Sequence, residues 1–76
     1  MDYHLSPIIT AHALRRANDR FGVPKTRAKS WLTKKVREAA YISKNWQGHL
    51  YQNGGICIIM RDRVVLTVYD AQDSNG

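Results

Sequence analysis

The sequence predicts an α+β fold: two N-terminal helices packed on a three- to four-stranded antiparallel sheet. Three observations carry that expectation. Apolar residues recur at helical spacing across the first half, apolar strand-like runs fill residues 40–69, and turn residues separate those runs at Asn53-Gly54-Gly55 and Asp62-Arg63. The 76 residues fit one domain, with 1–8 as an extended lead-in and 70–76 as a flexible tail. A chain of this length buries only ~60% of its unfolded surface, so the core is thin.

The helices come first. Pro7 disfavours a helical Ser6 and extends the lead-in to Ile9. Thr10 then serves as the N-cap of a helix through Phe21, closed by Gly22 in the left-handed conformation. Ala13, Leu14, Ala17 and Phe21 share one arc, which is the face to bury. His12, Arg16 and Arg20, spaced by four, form a row along its border. A second helix begins at Pro24 and ends near Glu38 or Ala39. Its apolar stripe is Ala28, Trp31, Leu32, Val36 and Ala39, while Arg27, Lys34 and Arg37 cluster on the far side. Lys35 falls within the apolar arc and is expected to snorkel.

From Ala40 the period becomes that of strands. Tyr41 to Ser43 is a short strand, and Gly48 to Gln52 sets His49 and Tyr51 on one face against Leu50 on the other. Asn53-Gly54-Gly55 tolerates the positive φ of a hairpin turn. Ile56 to Met60 is apolar on both faces, as a central strand is. The single cysteine, Cys57, lies in that run and reads as a small buried hydrophobe, with no disulfide framework to join. Val64 to Tyr69 completes the sheet, with Thr67 and Tyr69 on one face.

Charge narrows the function. Lys plus Arg number 12 against six Asp plus Glu, a formal +6. Residues 1–39 carry nine basic and three acidic side chains, whereas residues 40–76 are balanced at three and three. Such asymmetry points to a polyanionic partner, nucleic acid ahead of an acidic protein. No run approaches the ~20 apolar residues of a membrane span, and no signal-peptide hydrophobic region opens the chain, so the expectation is cytoplasmic with no membrane partner.

Familiar catalytic signatures are missing: no phosphate-binding glycine loop, no Gly-x-Ser-x-Gly elbow, no His-Glu-x-x-His helix. His4, His12 and His49 are widely separated and lack a carboxylate cluster, so neither metal nor cofactor is expected. The remaining groups suit phosphodiester chemistry. Cleavage through the 2′-hydroxyl needs a base, an acid and cations for the phosphorane. His12 can move protons, Arg16 and Arg20 can hold phosphate oxygens, and Thr67 with Tyr69 can position the scissile phosphate. His49 offers a second imidazole beside Tyr51. Each residue also has a plainer reading: a solvated basic face for the arginines, a half-buried packing role for Tyr69. Trp46, between Asn45 and Gln47 in a turn, either stacks on a base or lids the small core.

Two segments carry a family likeness. Ile9-Thr10-Ala11-His12-Ala13-Leu14-Arg15-Arg16 and Val65-Leu66-Thr67-Val68-Tyr69 resemble the leading helix and closing strand of compact barnase/EndoU/colicin/RelE-like ribonucleases and the phage and toxin domains grouped with them. The likeness spans roughly residues 8–70. It implies RNA bound across the sheet and metal-independent cleavage to a 2′,3′-cyclic phosphate. His12 and Arg16 then match the helical pair, Thr67 and Tyr69 the strand-end pair, and an antitoxin or immunity protein is an implied partner.

Two functions follow. The first is a toxin-type endoribonuclease using His12, Arg16, Thr67 and Tyr69. The second is a non-catalytic phage-type regulator or inhibitor, binding nucleic acid or an acidic protein through Arg20, Arg27, Lys34, Arg37, Trp46 and His49. Self-association is compatible with both, because a small core gains from it.

Overall fold

The computed structural model describes residues 7–72; His4, the rest of the lead-in before Pro7 and the tail beyond Gln72 lie outside it. The order is β1 (Ile8–Ile9), α1 (Ala11–Phe21), α2 (Lys25–Glu38), β2 (Ala40–Lys44), β3 (His49–Asn53), β4 (Ile56–Arg61) and β5 (Val64–Asp70). Two helices on a sheet is the expected class.

The sheet itself departs from expectation. It has five strands in the order β1-β5-β4-β3-β2 and is mixed, because β1 runs parallel to β5. Ile8 pairs with Val64 and Ile9 with Val65, and the Ile8 amide donates to the Arg63 carbonyl at 2.8 Å. A two-residue strand is too short to show alternation, so the lead-in reads as merely extended. The last strand also runs further than expected. β5 continues through Asp70, and the Ala71 amide donates to the Gly55 carbonyl at 2.8 Å.

Local chemistry explains the helices. The Thr10 hydroxyl accepts the Ala13 amide at 3.1 Å as N-cap of α1 and donates to the Val65 and Leu66 carbonyls at 2.9 and 3.2 Å. One side chain therefore starts the helix and ties it to β5. At the other end Gly22 adopts φ 66° and its amide donates to the Asn18 carbonyl at 3.1 Å, an αL closure, while the Val23 amide reaches back to the Ala17 carbonyl at 3.3 Å. Only Val23 and Pro24 then separate this cap from α2, and buried Val23 directs the second helix across the same core.

Both helices cover one side of the sheet. Ala13 and Ala17 of α1 and Ala28 and Leu32 of α2 pack on Ile58 and Met60 of β4 and Val65 and Val68 of β5. Alanines at the contact let the helix backbones lie close to the strands. Val65 and Val68 are three apart yet share the core, because the β4–β5 register shifts: Ile59 opposes Thr67 while Met60 opposes Val65, leaving Leu66 as the extra residue. A second shift makes Ile42 the extra residue of β2. Cys57 and Ile59 are buried on the face away from the helices.

Candidate functional site

The exposed side of α2 carries the densest run of cations in the described chain. Opposite its buried Ala28 and Leu32 runs a shallow depression lined by Thr26, Lys29, Ser30, Thr33, Lys34 and Arg37, with Glu38 at its C-terminal end. The sequence Lys25 to Glu38 holds six cations and that one carboxylate. Ser30 Oγ donates to the Arg27 carbonyl at 3.1 Å and Thr33 Oγ1 to the Lys29 carbonyl at 2.8 Å. The hydroxyls are thus turned back onto the helix, leaving the cations as donors to an anion. Arg27, Lys34 and Arg37 are all exposed, as the helical wheel requires. Lys35 behaves differently: its ammonium lies 5.7 Å from the centre of the Trp31 ring, a cation–π contact that accounts for a lysine at the rim of the core. Trp31 in turn packs on Phe21 of α1 at 5.6 Å between ring centroids.

On α1, His12 is exposed in the first turn and Arg20 in the last, where a cation complements the helix dipole. Arg16 between them is half-buried and reaches the edge of β5, its Nε making a long 3.5 Å hydrogen bond to the Val68 carbonyl.

Thr67 and Tyr69 do share a face of β5, but it is not the face under α1. Thr67 opposes Ile59 and Tyr69 opposes Cys57, whereas the intervening Val68 and its partner Ile58 belong to the helix-packed core. Alternation therefore sends Thr67 and Tyr69 to the far side. The residues singled out for catalysis are divided between the two sides of β5, with Arg16 at the edge between them. Burial foremost, then the charge of Cys57 and a hydrogen bond to it, push the Tyr69 phenol above its ordinary 10.0. It is a neutral hydroxyl near pH 7, able to donate a proton.

The β2–β3 hairpin forms a further cluster that the sequence only half reveals. Tyr41 opposes Tyr51, and Lys44 opposes His49, so the bulge at Ile42 puts Tyr41 and Lys44 on the same face although they are three apart. The Tyr41 ring stands edge-on to Tyr51 at 5.4 Å and lies 5.5 Å from the His49 ring, with Nδ1 of His49 3.2 Å from its hydroxyl. His49 thus binds its neighbour Tyr41, which the sequence marks only as a strand residue. Trp46, in the turn between these strands, is 87% exposed and lids no core.

Among the described residues, no group of three or more His, Cys, Asp or Glu side chains is placed to hold a metal ion. No helix there is long and apolar enough to cross a membrane. Comparison with protein-family models, with curated proteins and with solved structures finds no match to this chain in any of the three.

Proposed function

We propose that this protein binds nucleic acid, taking the phosphodiester backbone along the exposed face of α2. The observation that carries the reading is the composition of that face: Lys29, Lys34 and Arg37 along one depression, Arg27 beside it, and Glu38 alone in opposition at one end. Neutralising phosphates releases condensed counterions, so such binding weakens steeply with salt. Titrating labelled RNA and DNA oligonucleotides at increasing salt tests it. Log affinity should fall linearly with log salt, and Lys34→Glu with Arg37→Glu should flatten the slope by about two units while weakening binding to every sequence. Salt-insensitive binding, or none, would overturn this reading in favour of a protein partner.

A second reading, metal-independent cleavage of RNA, draws support from Arg16. Its guanidinium sits at the β5 edge beside the strand that carries Thr67 and the proton-bearing Tyr69. There it would stabilise phosphorane charge while His12 takes the 2′-hydroxyl proton and Tyr69 protonates the departing 5′-oxygen. His12 lies on the other side of β5, so a substrate using both would have to cross the strand edge. Incubation with labelled RNA in EDTA decides the matter: cleavage lost in Arg16→Ala and Tyr69→Phe supports catalysis, and intact RNA refutes it.

A further inference from the structure

We infer that the β2–β3 hairpin is a stacking platform for unpaired bases, with Trp46 and Tyr41 as the stacking rings and Lys44 as the phosphate contact. This rests on the nucleic-acid reading and adds which form is preferred: a single-stranded segment. Four observations converge on it.

The first is exposure. Of the four large hydrophobic side chains exposed among the described residues, three belong to this hairpin: Tyr41 at 52%, Ile42 at 49% and Trp46 at 87%. The second is the rigidity of the turn that presents Trp46. Asn45 Oδ1 accepts the Gln47 and Gly48 amides at 2.9 and 3.1 Å, and the Asn45 amide donates to the Gly48 carbonyl at 2.8 Å. Arg61 Nη2 donates to the Gln47 and Trp46 carbonyls at 2.8 and 3.4 Å. The turn is tied down at its backbone while its largest side chain points into water, which burial cannot explain.

Third, Tyr41 is held by Tyr51 and His49 with half its surface still open, so its ring is set before any ligand arrives. Pre-set aromatic groups lose little freedom on binding. Fourth, residues 40–53 contain no Asp or Glu, and Lys44 shares the Tyr41 face, so the hairpin itself sets no carboxylate against an anionic chain. Aromatic rings stack on any base, but bases inside a duplex are already stacked on each other.

The test uses the full chain with fluorescently labelled single-stranded oligonucleotides of about 12 nucleotides and a hairpin duplex of similar charge, read by anisotropy. Trp46→Ala and Tyr41→Ala should each weaken single-strand binding roughly tenfold and leave duplex binding within about twofold, and Trp46→Phe should restore most of the loss. Equal single-strand affinity in the Trp46→Ala protein would overturn the platform. So would sedimentation in which Trp46→Ala converts a dimer to a monomer, which would make the hairpin a contact between copies. The Lys34→Glu/Arg37→Glu protein separates the two proposals. If it loses both ligands while Trp46→Ala loses neither, the α2 reading stands and the platform falls. If only Trp46→Ala acts, the platform stands and the α2 reading falls.

Discussion

Gly48 offers the sharpest test of how this fold is held, because one methyl group meets backbone that cannot swing aside. A Cβ at Gly48 would lie 2.5 Å from the Met60 carbonyl oxygen and 3.2 Å from its carbon. Ordinary contact begins at 3.4 Å, so β3 and β4 would have to separate locally by about 0.9 Å. Overpacking of this kind costs roughly 1–3 kcal/mol. The residue also sits at φ 155°, where an L side chain adds strain of about 1 kcal/mol. Gly48→Ala should therefore lose about 2–4 kcal/mol, a large part of the roughly 4–11 kcal/mol a domain of this size commands. With a urea dependence of about 1 kcal/mol per molar, the midpoint should drop by about 2–4 M, followed through the Trp31 fluorescence. Gly55→Ala is the control. A Cβ there has nothing within 4 Å, so it should stay within about 0.5 kcal/mol of the parent. Matching midpoints for the two variants would refute the steric argument and the rigid turn beneath Trp46 with it.

Two further outcomes are expected. Thr10→Ala removes both the cap of α1 and the donor to the Val65 and Leu66 carbonyls, so it should cost about 1–3 kcal/mol by thermal unfolding, with most of that recovered in Thr10→Ser. Tyr69 has its phenol pushed above 10.0 by burial first and Cys57 second, so the fold favours the neutral form. That contribution to stability is fully present below pH 10.0 and is lost as pH climbs through the folded-state value. Urea midpoints from about pH 8 to about pH 11 should fall less for Tyr69→Phe than for the parent; identical slopes would count against the raised phenol.

Much of this architecture can be read before folding, because it depends on neighbours in the chain. Thr10, Gly22 and Pro24 punctuate the helices through capping and fixed φ, which act within four residues. Asn53, Gly54 and the Asp62-Arg63 pair mark the hairpins in the same way, and Asp62 indeed takes φ 57°. The cations of α2 are equally legible, since a helix wheel places Arg27, Lys34 and Arg37 opposite Ala28 and Leu32 without reference to the rest of the molecule. β1 is not legible. Its two residues gain meaning only by pairing with Val64 and Val65, more than fifty positions away.

Residue spacing by itself determined the two helices, the strand meander, the basic face of α2 and the shared face of Thr67 and Tyr69, because each follows from a local period. Tertiary packing alone decided which side of the sheet the helices cover, and so whether Thr67 and Tyr69 join His12 or are parted from it. It also decided the bulges at Ile42 and Leu66, which restore one face to residues three apart and set Tyr41 beside His49. A period of two says which residues travel together, but it carries no sign. The sign comes from the burial of Val65 and Val68 against Ala13 and Ala17, a contact between segments that have no neighbours in common along the chain.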